Sequence, residues 1–345
     1  MSVTAARGFS AAGSACGIKA DGALDLAIVS ATRPVAAAGV FTTSTTAAPP
    51  VAVSKRHLGD GFARIVVVNS GCANAGTGDN GLADALETAG ATAARYGCAP
   101  EDVLVCSTGT IGPRLPVDRL VDGLPTSLDD TPVAGTTAAR AIMTTDSVSK
   151  EAALSQDGYS IGGMAKGAGM IRPDMATMLA VITTDAVVGS ELLHMALVEA
   201  VDQSFNSLNI DGCQSTNDAV LILASGDSGI SPELDAFSAA LTDVCTDLAC
   251  QIATDAEGAE RVVVVEIAGA ADDAAARAIG KALTDSDLVR SSFYGGDPNW
   301  GRVFGALGVG PVPIEAAAIS ISYDGELVAN GGVGLPFDED SLLKR

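Results

Sequence analysis

The chain has 345 residues, of which 48% are hydrophobic, 39 are Gly and only 4% are aromatic; this suits two or three α/β-type domains built on small side chains. Its formal charge of −22 repels phosphate backbones and anionic lipid headgroups, which argues against nucleic acid and membrane surfaces as partners. Two histidines, His57 and His194, and seven cysteines with no C-x-x-C spacing leave no basis for a His triad, a His-rich metal site or a disulfide framework. The cysteines read as small buried residues in a reducing compartment. No apolar run reaches the ~18 residues of a membrane span. The N-terminal MSVTAARGFSAAGSACG lacks the regions of a signal peptide, and the chain reads as cytoplasmic.

Short aliphatic or β-branched runs bounded by Gly, Asp or Ser predict strands at 24–29, 63–68, 103–106, 180–183, 220–224, 262–268 and 317–323. Helical spacing of Leu82, Leu86, Ala89, Ala93 and Tyr96 ends at Gly97, a C-cap residue. Ser231-Pro232-Glu233 reads as an N-cap opening a helix whose apolar face is Phe237, Leu241, Val244, Leu248 and Ile252. A further helix covers 272–283, and the turn-rich 226–232 marks a domain boundary. Strands mixed with helices give an α/β (α+β) layered fold.

Several stretches could carry chemistry. Gly76-Thr77-Gly78-Asp79-Asn80-Gly81 matches G-x-G-x-x-G, but seven residues intervene after the strand end at Val68, too many for the helix N-terminus to meet a pyrophosphate. The strand at 103–105 runs into Cys106-Ser107-Thr108-Gly109, where backbone N–H groups and the Thr hydroxyl could form an oxyanion hole; an ordinary strand-to-loop turn is the plainer alternative. Thr144, Thr145 and Asp146 gather after a helix-like segment, where an Asx-type turn would also explain them. Glu257 lies just past the long helix. NIDGCQSTND and GGDPNWGRV, with the single Trp300, read as cleft loops.

MAKGAGMIRPDMATMLAVITTDA is the most unusual passage. Lys166 stands in a Gly-rich turn that reads as mobile, and eleven residues later Thr177 opens an apolar strand-like run. A Thr hydroxyl placed there can attack the Ala176 carbonyl. Hydrolysis of the resulting ester would leave Thr177 N-terminal, with its own α-amine as base.

KGAGMI, MATML, TTDA, CSTGTIG, IMTTD, DAEG and DPNWGRV together resemble ornithine acetyltransferase, also called glutamate N-acetyltransferase, over essentially the whole chain. The resemblance implies self-cleavage between Ala176 and Thr177 into an α chain, 1–176, and a β chain, 177–345. It implies Thr177 as nucleophile, Thr108 and Gly109 as oxyanion hole, and Thr144, Lys166, Thr177 and Glu257 as substrate contacts. The implied fold is a layered αββα sandwich similar to the self-processing aminopeptidases, continuing to about 228, with a smaller C-terminal α/β domain over 229–345. Acetyl would move from N-acetylornithine to glutamate, with acetyl-CoA as a possible second donor and no metal or organic cofactor. Members of the resembled family associate as α2β2. They also run several tens of residues beyond PFDEDSLLKR, ending in an Asn and a terminal Ser that have no counterpart here. Two rival readings remain: an N-terminal-Thr amidase or aminopeptidase, and a non-enzymatic binder of small molecules.

Overall fold

A computed structural model of the chain describes residues 2–20, 22–172 and 178–342. Two compact units divide it, Met1–Glu257 and Gly258–Arg345.

In the first unit the chain runs β1 (Phe9–Ser14), β2 (Leu26–Phe41), α1 (Pro49–His57), β3 (Phe62–Cys72), α2 (Gly78–Tyr96) and β4 (Val103–Thr110). It continues through α3 (Val117–Asp122), α4 (Pro132–Ala141), β5 (Lys150–Gln156), β6 (Tyr159–Lys166), β7 (Leu179–Thr184), α5 (Ser190–Gln203), β8 (Ala219–Ala224) and α6 (Leu234–Thr254). The described strands form one eight-stranded mixed sheet, ordered β4-β3-β2-β8-β7-β6-β5 with β1 beside β2. The mixed α/β class expected from the sequence is borne out.

The layering follows from which faces are apolar. β7 and β8 are buried at every residue, as near-continuous apolar runs must be when both faces are covered. Ile182, Val220 and Ile222 pack under α5 and α6. Ile65, Val67, Val103 and Val105 pack under α1, α2 and α3. A third cluster joins the opposite faces of both halves, with Val66, Val68 and Leu104 meeting Met164, Val181 and Leu221. One long strand, β2, carries both halves, and its pairing with β3 shifts register between Ser30 and Val35. The edge strand β4 is covered rather than open: Ser54 Oγ of α1 donates to Val105 O (2.7 Å) and accepts from Val105 N (2.8 Å).

Helix expectations hold in part. Gly97 caps α2 in the left-handed conformation, yet the buried face of α2 is Ala85, Thr88, Ala89, Thr92 and Ala93, while Leu82 is exposed. The small face lets the helix approach β4 closely. Phe237, Leu241, Val244, Leu248 and Ile252 line the buried side of α6, as expected. Ser231 is not its cap, since α6 starts at Leu234 after Glu233 with no side-chain cap bond. The turn at 226–232 does not divide the units either. α6 packs on the first unit's sheet through these residues, so the division falls at Gly258.

The second unit holds α7 (Asp273–Thr284), α8 (Asp287–Gly295), α9 (Trp300–Leu307) and an antiparallel sheet ordered β11 (Val333–Gly334), β10 (Glu326–Asn330), β9 (Ile321–Tyr323). Asp272 caps α7 through Ala275 N. The strand expected at 262–268 is absent among the described residues; that run has no ladder partner, and Val262, Val263 and Val264 are exposed. DPNWGRV is a helix start, with Asn299 capping α9 through Arg302 N and Trp300 edge-on to Phe304.

His57 is buried with Nδ1 against Val103 O (2.8 Å), and His194 is exposed on α5. Cys72, Cys106 and Cys245 are buried, whereas Cys213 and Cys250 are exposed. Among the described residues no helix is long and apolar enough to cross a membrane.

Candidate active site

β4 does not stop at Cys106. It continues parallel to β3 through Ser107, Thr108 and Gly109 to Thr110. Cys72 faces both Thr108 and Thr110, so the register breaks at Gly109, and bulges of this kind re-aim the backbone beside functional sites. Gly109 has φ +125°, and a Cβ there would lie 2.4 Å from the Gly71 carbonyl carbon and 2.7 Å from Cys72 N. Only glycine fits. The Thr108 side chain is buried, and among the described residues its hydroxyl has no hydrogen-bond partner. An unengaged donor beside a bulged backbone suits an oxyanion hole.

Asn217 ties this strand end to the next element. Its Nδ2 donates to Ala73 O (2.7 Å) and Ser107 O (3.0 Å), and its Oδ1 accepts from Thr216 Oγ1. The following residue, Asp218, is fully buried and accepts from Met178 N at 2.9 Å. Burial pushes the Asp218 carboxyl up to about 8, against the lowering effects of the Met178 bond, Lys166 and Ser215.

Lys166 is not in a turn. It is the last residue of β6, paired with Leu179 of β7, and 2% exposed. Burial lowers its pKa, opposed by Asp146, Asp218 and Glu257. The residues after it are pinned, not loose as the glycine content suggested. Gly167 N donates to Asp146 Oδ1 (2.7 Å), and Glu257 N donates to Ala168 O (2.7 Å). Met170 N and Ile171 N donate to Asp211. Gly169 lies close to Glu257: a Cβ there would be 2.9–3.1 Å from the Glu257 carboxyl atoms, the far end of a flexible side chain.

Asp146 joins Thr144 to Lys166. It accepts from Thr144 N (2.8 Å), Gly167 N (2.7 Å) and Lys150 Nζ (2.7 Å). Burial alone would raise its pKa; the Lys166 charge and these donors outweigh it and hold the carboxyl below the ordinary 3.8. Lys150, wholly buried, bridges Asp146 to Asp255 (2.6 Å), whose carboxylate also accepts from Ser147. Lys19 closes the circuit, donating to Met143 O at 2.6 Å while its stem packs on Gly71, the partner of Gly109.

Thr108, Gly109, Thr144, Lys166 and Glu257 therefore belong to one connected set of contacts. Ala176 and Thr177 lie outside the described residues. Sequence reading missed Asp146 as a hub and gave no role to Lys150, Asn217, Asp218 or Lys19; their signal was only polarity within otherwise apolar or turn-rich runs. NIDGCQSTND does supply site contacts through Asp211, Asn217 and Asp218. Among the described residues no group of three His, Cys, Asp or Glu side chains could hold a metal. The glycine run at 76–81 serves helix packing, with Asn74 Nδ2 donating to Gly81 O (2.9 Å) and Thr77 Oγ1 to Asn74 Oδ1.

The model of the ArgJ family matches residues 10–344. The chain belongs to the ArgJ family. It is 45% identical over 355 residues to the arginine biosynthesis bifunctional protein ArgJ of Bifidobacterium longum, covering 100% of this chain and 91% of that protein. It is 46% identical over 337 residues to the protein of the same name from Streptomyces coelicolor, covering 97% and 88%. Against the crystal structure of ornithine acetyltransferase complexed with ornithine from Mycobacterium tuberculosis, identity is 49%, the TM-score is 0.49, and 50% of this chain and 94% of that chain are covered. Family membership bears out the resemblance read from the motifs. The shares of the two ArgJ relatives left unmatched, 9% and 12%, are not assigned to the C-terminus, so the expected loss of the family's C-terminal end is not established.

Proposed function

We propose that this ArgJ-family chain transfers acetyl from N-acetylornithine to glutamate through an acetyl ester on Thr177, after cutting itself between Ala176 and Thr177. The observation that carries this reading is the connected set of Thr108, Gly109, Thr144, Lys166 and Glu257 in a chain of this family. The Thr177 hydroxyl attacks the acetyl carbonyl, and the oxyanion is held by the Thr108 hydroxyl and the Gly109 backbone. Ornithine leaves, protonated by the freed α-amine, which then activates glutamate against the ester. No metal or organic cofactor takes part.

The charges suit the two substrates. In this reading Lys166, beside Asp146, binds the α-carboxylate common to donor and acceptor. Glu257 offers an exposed carboxylate for the ammonium end of ornithine, and Thr144 supplies a hydroxyl. Acetyl-CoA serves as a second donor, as the name bifunctional borne by the relatives suggests. The processed protein assembles as α2β2 in the cytoplasm.

The test is incubation with N-acetylornithine, with and without glutamate, following acetylglutamate and acetate separately. Acetylglutamate should form only with glutamate present. Acetate released at one rate in both tubes, with no acetylglutamate, would make the protein a hydrolase of the aminopeptidase kind. Intact mass should show two chains, a single chain for Thr177→Ala, and two again for Thr177→Ser.

A further inference from the structure

Thr144 lies between α4 and β5, outside any helix or ladder, so no regular structure fixes the peptide plane that precedes it. Two side chains do so instead. The Met143 carbonyl accepts from Lys19 Nζ at 2.6 Å, and the Thr144 N–H of the same peptide unit donates to Asp146 Oδ2 at 2.8 Å. The peptide unit is planar and stiff. A cation on its oxygen and an anion on its N–H therefore set the direction in which the Thr144 side chain leaves the backbone. Asp146 reaches it from two residues away, Lys19 from 124 residues away.

Lys19 is itself held in place. The Asp25 carboxylate, fully buried, accepts from Cys16 N (2.6 Å), Ile18 N (2.7 Å) and Lys19 N (2.9 Å). Ser70 N of β3 donates to Asp25 O at 2.8 Å. These bonds fold the 16–19 segment onto the end of β3, where a Cβ on Gly71 would lie 2.9 Å from Ile18 Cγ2 and 3.1 Å from Lys19 Cγ. The half-buried ammonium donates one proton to Leu24 O (2.8 Å) and one to Met143 O. Burial lowers its pKa, while Asp25 and Asp146 act to keep it charged.

Resting on the reading of Thr144 as a substrate contact, we propose that Lys19 is a positioning residue for substrate binding: through the Met143 carbonyl it aims the Thr144 hydroxyl, and its stem fixes that aim relative to the Gly71–Gly109 pair. Thr144 Oγ1 lies 3.4 Å from Asp146 Oδ2. An ionised carboxylate only accepts, so the hydroxyl proton turns towards Asp146 and the oxygen is left to accept from a nitrogen of the substrate. N-acetylornithine and glutamate both carry an N–H donor on the α-carbon, so Lys19 serves the two alike. It acts through Thr144 and not on the substrate itself.

The full chain, its processing checked by intact mass, is assayed for acetylglutamate formation with each substrate varied in turn. Lys19→Met removes the ammonium and keeps most of the stem on Gly71. KM should rise roughly tenfold for both substrates, the scale of one lost charge-assisted hydrogen bond, while kcat stays within about threefold. Lys19→Arg can still donate to the Met143 carbonyl and should recover most of the loss. Thr144→Ala alone should raise both KM values. Adding Lys19→Met to it should change them by less than about twofold, because a residue that acts through Thr144 has nothing left to aim. Lys19→Met at wild-type KM overturns the assignment. Effects that multiply in full in the double variant, or that Lys19→Arg does not recover, overturn it too, because a merely structural lysine would behave so. A Lys19→Met chain that stays whole where the wild type is cut places Lys19 in processing and also overturns it. Thr144→Ala at wild-type KM instead refutes the substrate contact beneath the inference, and a wild type that forms no acetylglutamate refutes the transferase reading itself.

Discussion

Asp146→Asn tests whether one buried carboxylate organises the site. The wild-type side chain is wholly buried and receives Thr144 N, Gly167 N and Lys150 Nζ. Lys150 and Gly167 share Oδ1, so the new amide nitrogen settles at the Oδ2 position and faces the Thr144 N–H. That donor loses its acceptor, a cost of about 1–3 kcal/mol. Two buried cations, Lys150 and Lys166, also lose a compensating charge. Breaking a buried pair costs about 3–5 kcal/mol, and Lys150 keeps Asp255 at 2.6 Å, which favours the lower end. At about 2–4 °C per kcal/mol for a unit of this size, Tm should fall by roughly 10 °C. Differential scanning calorimetry across pH is the assay. The folded carboxyl lies below its ordinary 3.8, so its contribution is complete above 3.8 and lost as pH falls through the depressed value. The gap between wild type and variant should therefore close at acid pH. A Tm change under about 2 °C at neutral pH, or a gap that persists in acid, would refute the reasoning.

Thr108→Ala should slow acetyl transfer by roughly two to three orders of magnitude, the loss expected for one oxyanion donor; stopped assays of acetylglutamate formation measure it, and an unchanged rate removes Thr108 from the site. Gly109→Ala must fit a Cβ 2.4 Å from backbone carbon, so both Tm and transfer rate should collapse. Gly112→Ala is the control: φ is +106° but nothing lies within 4 Å, leaving only backbone strain of about 1–3 kcal/mol. Lys166→Met should raise KM about tenfold or more for both N-acetylornithine and glutamate, because both present the same carboxylate to it; an effect on one substrate alone contradicts that placement. Gly169→Ala pushes on the far end of the Glu257 side chain rather than on backbone, so stability should stay within about 1 kcal/mol of wild type while KM for N-acetylornithine rises more than KM for glutamate.

The sequence by itself determined the features that depend on local pattern. Strands β3, β7 and β8 were legible because both faces are buried, which forces an unbroken aliphatic run. The buried row of α6 was legible because a helix presents the same face every three or four residues. The motifs around Thr108, Thr144, Lys166 and Glu257 were legible as candidates because polar and glycine residues stand there at the ends of apolar runs. Only the tertiary structure decided the rest. The glycine-rich stretch after Lys166 looked loose, yet Asp146, Asp211 and Glu257, from 21 to 89 residues distant in sequence, hold its backbone. The run at 262–268 has strand composition but no partner strand, and a strand exists only in its ladder. The boundary at 226–232 looked like a linker, but α6 carries its apolar row back onto the first sheet. Lys150 and Asp218 are ordinary polar letters in the sequence. Lys150 is buried between Asp146 and Asp255, the latter 105 residues away, and burial raises the Asp218 carboxyl; desolvation is a property of the folded surroundings rather than of neighbouring residues in the chain.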